Sequence, residues 1–306
     1  MKVCVVGCGA VGSLFAAHLA RLDDVEVYAY DVYKPHVDAI NQNGLRLSGA
    51  ADFTAKLKAS SDAAQIPRCD YGIVATKAIH TRQAIEQTER VFDENSAVCS
   101  VQNGAGNEEI IAERVRYVIR GTTFPAGHLI EPGHVGFDIK GDTWIGPFEP
   151  THTQIARVEE LASVLTRSGM NTIALPDARG AQWTKLIFNA ATNPVGALTR
   201  LHHGAATYFK PTGDLFNALI AEGESVAEAI GIKLHGDPRE LVTKGANAPG
   251  KHKASMLQDV LASRQTEVDF MNGAIVEWGE KVGVPTPLNR AIWALIKGLE
   301  HSWTNP

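Results

Sequence analysis

Apolar residues recur with two different periods along this 306-residue chain, and the change of period divides it. In the first half, short β-branched runs alternate with helical patterns. The run Val3–Val6 is followed by Val11, Leu14, Phe15, His18, Leu19 and Leu22, whose spacing of three and four predicts a helix. Further strands are predicted at Val25–Asp31, Gly72–Lys77, Ser96–Gly104 and Arg116–Thr123. Strands separated by helical segments point to a parallel sheet covered on both faces. The Gly-rich stretch Gly133–Pro147, "GHVGFDIKGDTWIGP", predicts a hairpin added at the sheet edge. A helix over Gln154–Ser168 and a strand at Asn171–Leu175 close this region near Pro176.

Beyond Pro176 the β-branched runs nearly vanish. Gln182–Leu198, Thr212–Ala229, Ser255–Arg264, Glu267–Val282 and Leu288–Ser302 carry helical periodicity. The shift predicts two domains, a mixed α/β domain over 1–176 and an all-helical one over 177–306. Thr243–Ser255, "TKGANAPGKHKAS", is dominated by Gly, Ala, Pro and Lys and predicts a loop, a candidate lid. No solenoid-period repeat or low-complexity tract interrupts the pattern.

Composition changes this picture little. A hydrophobic fraction of 44% and a charged fraction of 21% describe an ordinary globular chain. The formal net charge of -5 carries no basic footprint for nucleic acid. No apolar run is long enough to span a bilayer, and "MKVCVVG" reads as a first strand rather than a secretory leader. Cys4, Cys8, Cys69 and Cys99 share no metal-ligand spacing and are expected as free, mostly buried thiols, which suits the cytoplasm. No metal site is expected. His80, His128, His134, His235 and His252 form no ligand spacing and read as surface or packing residues. The acid pairs Glu108-Glu109 and Glu159-Glu160 read as solvated helix surface. Trp278, Trp293 and Trp303 follow helical faces, as core or as contact with a second copy in a homodimer.

The first chemistry-bearing stretch is "KVCVVGCGAVGS". Three glycines, Gly7, Gly9 and Gly12, lie between a β-rich run and an amphipathic helix, and a second strand ends in Asp31, about 20 residues beyond Gly12. In that context Gly7 allows the tight turn, Gly9 lets backbone approach a pyrophosphate, and Gly12 permits close packing of helix on strand. The helix start, Cys8 to Gly12 with Ala10 and Val11, supplies amide donors and positive dipole. Dinucleotide binding follows. A carboxylate at Asp31 binds both adenosine ribose hydroxyls and repels a 2'-phosphate, which favours NAD over NADP. Lys34 is a cation close enough to leave NADP open.

The helical half holds one unusually polar helix, "WTKLIFNAATNPVGALT". Lys185, Asn189 and Asn193 follow one another at i, i+4 and i+8 and share a face. One amine and two amides are costly to bury without partners, and a small polar ligand lying against the face resolves that cost.

On these residues the chain resembles the ketopantoate reductase (2-dehydropantoate 2-reductase) family over nearly its whole length. "VVGCGAVGS", "ATKA" around Lys77, "VQNG" at Val101–Gly104, "KLIFNAATNPVGALT" and "SMLQDVLASRQTEVDFMNG" carry the resemblance in the family order. It implies a Rossmann domain joined to a helical domain like that of 6-phosphogluconate dehydrogenase, with the active site between them. It implies Lys185 as general acid, protonating the alkoxide formed by hydride delivery, and Glu267 as the acid supporting Lys185 and the bound cofactor. Asn189, Asn193 and Ser255 match substrate-binding positions, Asn103 a position near both nicotinamide ribose and substrate, Lys77 a cofactor-binding lysine, and Asp259 an acid that stabilises the site.

Two departures stand out. The family usually places a basic residue after the second strand, where this chain has Asp31-Val32. The family often has Asn before a glycine of its motif, where this chain has His203 before Gly204, a titratable group at a substrate-contacting place. The expected activity is NAD(P)H-dependent reduction of ketopantoate to pantoate with NAD preference. The alternatives are reduction of a related 2-oxo acid, oxidation of a small hydroxy acid in the NAD-linked direction, or a non-catalytic NAD-bound sensor. The sensor has no use for the proton donor.

Overall fold

A computed structural model describes residues 1–247 and 254–304. They divide into two compact units, Met1–Gln102 with Asn107–Ala178, and Asn103–Gly106 with the chain from Arg179 onward.

The first unit contains twelve strands: β1 (Lys2–Val6), β2 (Glu26–Tyr30), β3 (Leu45–Gly49), β4 (Phe53–Ala55), β5 (Lys58–Ser60), β6 (Tyr71–Val74), β7 (Ala97–Ser100), β8 (Tyr117–Thr123), β9 (Ala126–Glu131), β10 (His134–Ile139), β11 (Thr143–Pro147) and β12 (Thr172–Ala174). Its helices are α1 (Ala10–Leu19), α2 (Lys34–Asn43), α3 (Thr81–Thr88), α4 (Asn107–Ala112) and α5 (Ile155–Ser168). Eight strands form one sheet in the order β12-β11-β8-β7-β6-β1-β2-β5. From β5 to β8 all neighbours are parallel, while β11 runs antiparallel to β8. Burial on both faces explains why these strands read as continuous apolar runs. Along β1, Val3 and Val5 enter one core with Leu14 and Phe15 of α1, whereas Cys4 and Val6 enter another with Ile85 and Phe92. All four cysteines are buried.

The remaining strands form a second sheet, β4-β3-β10-β9, that the periodicity did not reveal. It corrects the hairpin expected at Gly133–Pro147. β10 pairs with β3 in parallel and β9 in antiparallel, while β11 joins the larger sheet between β8 and β12. The two runs are neighbours in sequence but not in pairing. Glu108 is a second correction: it is fully buried in α4 while Glu109 is exposed. Adjacent helical residues point about 100° apart, so an acid pair rarely shares one environment.

The second unit is helical: α6 (Arg179–Thr199), α7 (His203–Tyr208), α8 (Lys210–Ala229), α9 (Pro238–Ala246), α10 (Ser255–Leu261), α11 (Asn272–Val282) and α12 (Pro287–Ser302). Its core gathers Trp183, Leu186, Ile187 and Ala190 of α6 against Phe216, Leu219 and Ile220 of α8. Part of the loop expected at Thr243–Ser255 is helix, the last turn of α9; residues 248–253 lie outside the described residues. The helix expected from Glu267 begins at Asn272, because Glu267 precedes a separate 3-10 turn, Val268–Phe270.

Candidate active site

In the first unit, the glycine turn leaves β1 and enters α1. Gly7 has φ +87°, a left-handed conformation that favours glycine. A Cβ on Gly12 would lie 1.9 Å from the Gly7 carbonyl oxygen, so α1 reaches the turn only because that side chain is absent. At Gly9 a Cβ would meet nothing within 4 Å, and no side chain caps the helix there. An uncapped helix start beside open space suits an anionic group, since its first amides have no intrahelical acceptor. The cradle therefore fits a pyrophosphate.

Asp31 follows β2 and is not a mere surface acid. Its Oδ2 accepts the Cys8 amide at 2.7 Å and its Oδ1 accepts the Tyr33 amide at 2.8 Å. Two charge-assisted hydrogen bonds hold the carboxylate beside the glycine turn. An ionised carboxylate has about four acceptor sites, so capacity for ribose hydroxyls is left. Lys34 is exposed and pairs with Asp38 one helical turn on, at 3.3 Å.

Lys77 follows the carboxyl end of β6, where open α/β sheets bind ligands. The loop around it is tied by Gln102, a residue that the sequence pattern left without a role. Gln102 Nε2 donates to the Thr76 carbonyl and hydroxyl, both at 3.0 Å, and to Thr81 Oγ1 at 2.7 Å. Thr81 in turn donates to Asn107 Oδ1 at 2.8 Å. A buried amide among hydroxyls was the available signal, inside the quoted "VQNG".

The second unit assembles the polar face of α6. Lys185 Nζ donates to Asn103 Oδ1 at 2.8 Å. Burial pushes the Lys185 ammonium down from its ordinary value to about 8, partly offset by the Glu267 carboxylate, which favours the charged form. Glu267 itself is 7% exposed. The segment 103–106 is docked locally: Gly104 has φ +88° and a Cβ there would meet the Phe270 carbonyl at 2.4 Å, while the Ala105 amide donates to that carbonyl at 3.0 Å. Asn189 and Asn193 are 6% and 8% exposed. Among the described residues Asn189 has no side-chain hydrogen bond, and Asn193 reaches only Met271 Sδ at 3.9 Å, a weak acceptor. Two buried amides largely unused by the protein are the open valences of this face.

The other expected residues fall into different settings. Ser255 opens α10 and is exposed. Asp259, on the same helix, is 4% exposed and lies 3.3 Å from Arg264, so it is no surface acid. His203 sits among Phe188, Phe216 and α9. Its Nε2 lies 2.9 Å from the Val242 carbonyl, an acceptor only, so Nε2 carries the proton and donates. The ring is partly exposed and held in place by that bond and the two phenylalanines. Among the described residues no cluster of three or more His, Cys, Asp or Glu is placed to hold a metal ion, and no helix is long and apolar enough to cross a membrane.

Comparison with known proteins gives one consistent outcome. The model of the family described as "Ketopantoate reductase PanE/ApbA" matches residues 3–150, and that of its C-terminal domain matches 177–300. The 2-dehydropantoate 2-reductase of Pyrococcus horikoshii is 33% identical over 98% of both chains, and that of Archaeoglobus fulgidus is 32% identical over the same share. A ketopantoate reductase structure from Ralstonia eutropha JMP134 covers all of both chains with a TM-score of 0.89 at 30% identity. A D-mandelate dehydrogenase with NADH and anilino(oxo)acetate covers 99% of both, also with a TM-score of 0.89, at 26% identity. The glycine cradle, the Lys185–Asn103 pair and two matched domain models lead to one statement: the chain belongs to the ketopantoate reductase family.

Proposed function

We propose that this protein reduces ketopantoate to pantoate with a nicotinamide dinucleotide, preferring NADH. The observation that carries the reading is the polar face of α6, where Lys185 is held by Asn103 and supported by Glu267, beside amides that the protein leaves largely unsatisfied. Gly7, Gly9, Gly12 and the amides of Cys8, Ala10 and Val11 hold the dinucleotide pyrophosphate, with Lys77 and Asn103 further along it. Asp31 takes the adenosine ribose. When bound, the reduced cofactor supplies the hydride that reaches the keto carbon. Lys185 gives a proton to the oxygen on which negative charge develops, and its ammonium stabilises that charge before the transfer. A value of about 8 keeps most of the group protonated at neutral pH, yet makes it a better acid than an ordinary lysine. The Asn189 and Asn193 amides and the Ser255 hydroxyl receive the substrate carboxylate and hydroxyl.

A second reading has its own support. The carboxylate at Asp31 disfavours a 2'-phosphate, and one structural relative, a D-mandelate dehydrogenase, was solved with NADH and anilino(oxo)acetate. The alternative within this class is a different 2-oxo acid reduced by the same Lys185 chemistry, or a 2-hydroxy acid oxidised in the reverse direction, with the hydride passing to NAD and the hydroxyl proton to Lys185. Initial rates of NADH and NADPH oxidation with ketopantoate test both. A fast rate selective for NADH supports the first reading together with the role of Asp31, and selectivity for NADPH overturns that role. Absence of turnover with either cofactor, in protein that binds NADH, rejects ketopantoate in favour of another 2-oxo acid.

A further inference from the structure

The helix α6 continues through Pro194, which has no amide hydrogen to donate and whose ring crowds the carbonyl four residues earlier, that of Ala190. A carbonyl orphaned inside a packed core needs a replacement donor. Asn272, fully buried at the start of α11, supplies it: its Nδ2 donates to the Ala190 oxygen at 2.9 Å. The second Nδ2 hydrogen goes to Asn289 Oδ1 at 3.0 Å. Asn289, also fully buried, donates in turn to Glu222 Oε2 at 2.8 Å and to the Leu219 carbonyl at 3.2 Å. Glu222 of α8 accepts the Leu288 and Asn289 amides at the start of α12, at 2.8 and 2.9 Å. One chain of hydrogen bonds thus ties α8, α12 and α11 to the proline break in α6. The amide orientation of Asn272 is fixed by chemistry, because the Ala190 carbonyl can only accept. Its Oδ1 is buried with no partner among the described residues, so donation to α6 is retained at the cost of an unsatisfied oxygen.

The break lies between the functional groups of α6. Lys185 and Asn189 precede Ala190, whereas Asn193 is the residue before Pro194. A proline removes one rung of the helix hydrogen-bond ladder, so what holds the freed Ala190 carbonyl bears on where Asn193 stands relative to the other two. We propose that Asn272 is a positioning residue for substrate: by holding the Ala190 carbonyl it fixes the angle at Pro194, and with it the spacing of the amides that grip the 2-oxo acid. This rests on the reading of Asn189 and Asn193 as substrate-binding groups.

The test compares Asn272→Ala, Asn272→Leu, Pro194→Ala and the Asn272→Ala/Pro194→Ala pair. Asn272→Leu keeps the branched shape, at a larger volume, and removes the donor. Pro194→Ala restores an amide that serves Ala190 within the helix, so Asn272 becomes dispensable for geometry. Both Asn272 variants are expected to raise KM for ketopantoate about tenfold, the loss of roughly one hydrogen bond to substrate. The KM for the dinucleotide and the kcat are expected to stay within about threefold, and on the Pro194→Ala background the Asn272→Ala effect on KM is expected to shrink below about twofold. A Leu variant with wild-type KM means that Asn272 only fills space, and overturns the proposal. Equal KM effects on both backgrounds overturn it as well. Should Asn272→Ala not fold, Asn272→Leu against wild type carries the comparison. A wild type that turns over no 2-oxo acid defeats the functional reading rather than this one. Amide exchange over Val195–Thr199 then decides, expected about tenfold faster in Asn272→Leu and unchanged if Asn272 does not hold the break.

Discussion

The helical unit contains two polar seams that look alike in composition and differ in saturation. In one, Asn272, Asn289 and Glu222 spend nearly all their capacity on each other and on helix backbone. In the other, Lys185 is held by Asn103 and Glu267, but Asn189 makes no side-chain hydrogen bond to the described protein and Asn193 finds only a sulfur. Buried polar groups cost free energy unless paired. A seam whose donors are all engaged, with one buried oxygen left over at Asn272, therefore serves the architecture, and one whose amide donors find no strong acceptor is the seam we propose for the substrate. Residue type alone does not separate them, since both seams combine asparagine with charged groups.

The comparison breaks most visibly at its charged members. Lys185→Ala is expected to lower kcat by about 10²–10⁴-fold, the usual range for a lost general acid. NADH binding, read by fluorescence titration, is expected to survive, whereas equal activity of variant and wild type would favour a sensor. Glu222→Ala leaves the first amides of α12 and the Asn289 side chain without their acceptor, and is expected to cost about 2–3 kcal/mol in urea unfolding. Its kcat is expected to change little. Asn189→Ala is expected to do the reverse, raising KM for the oxo acid about tenfold while stability moves by less than about 1 kcal/mol. If Asn189→Ala destabilises as much as Glu222→Ala, the distinction between the seams fails.

A pH series sharpens the same contrast. With Lys185 near 8, kcat/KM for reduction is expected to fall above that pH as the proton donor is lost. Glu267→Gln removes the charge that favours the ammonium, so the fall is expected to begin at lower pH. Stability runs the other way. Between about 8 and the ordinary 10.5, the unfolded chain keeps a proton on Lys185 that the folded chain has released, so this group's contribution to stability rises with pH. A reduction rate that climbs through that window excludes Lys185 as the acid.

Much of this was legible in the sequence, for reasons of range. The glycine turn announces itself because its strand, turn and helix are contiguous, and the α6 face because a spacing of four puts three polar groups in register. The second sheet was not legible: β3 and β10 lie far apart in sequence, and nothing local in "GHVGFDIKGDTWIGP" says that its two runs pair with different partners. Asn272 was hidden for a related reason. It sits in a quoted motif, but its partner is a backbone carbonyl 82 residues away, exposed only by the proline in another helix. Glu108 was misjudged because burial depends on the neighbouring element, not on the charge.

Asp31 carries a consequence for how cofactor preference can drift in this lineage. The carboxylate we propose for the ribose also secures the Cys8 and Tyr33 amides on either side of it. Replacing it with a smaller neutral residue to admit a phosphate releases the loop in the same stroke. A mutational route toward NADP therefore has to install a substitute tether before, or together with, the change at residue 31. Two traits ride on one side chain, and selection on either is felt by both.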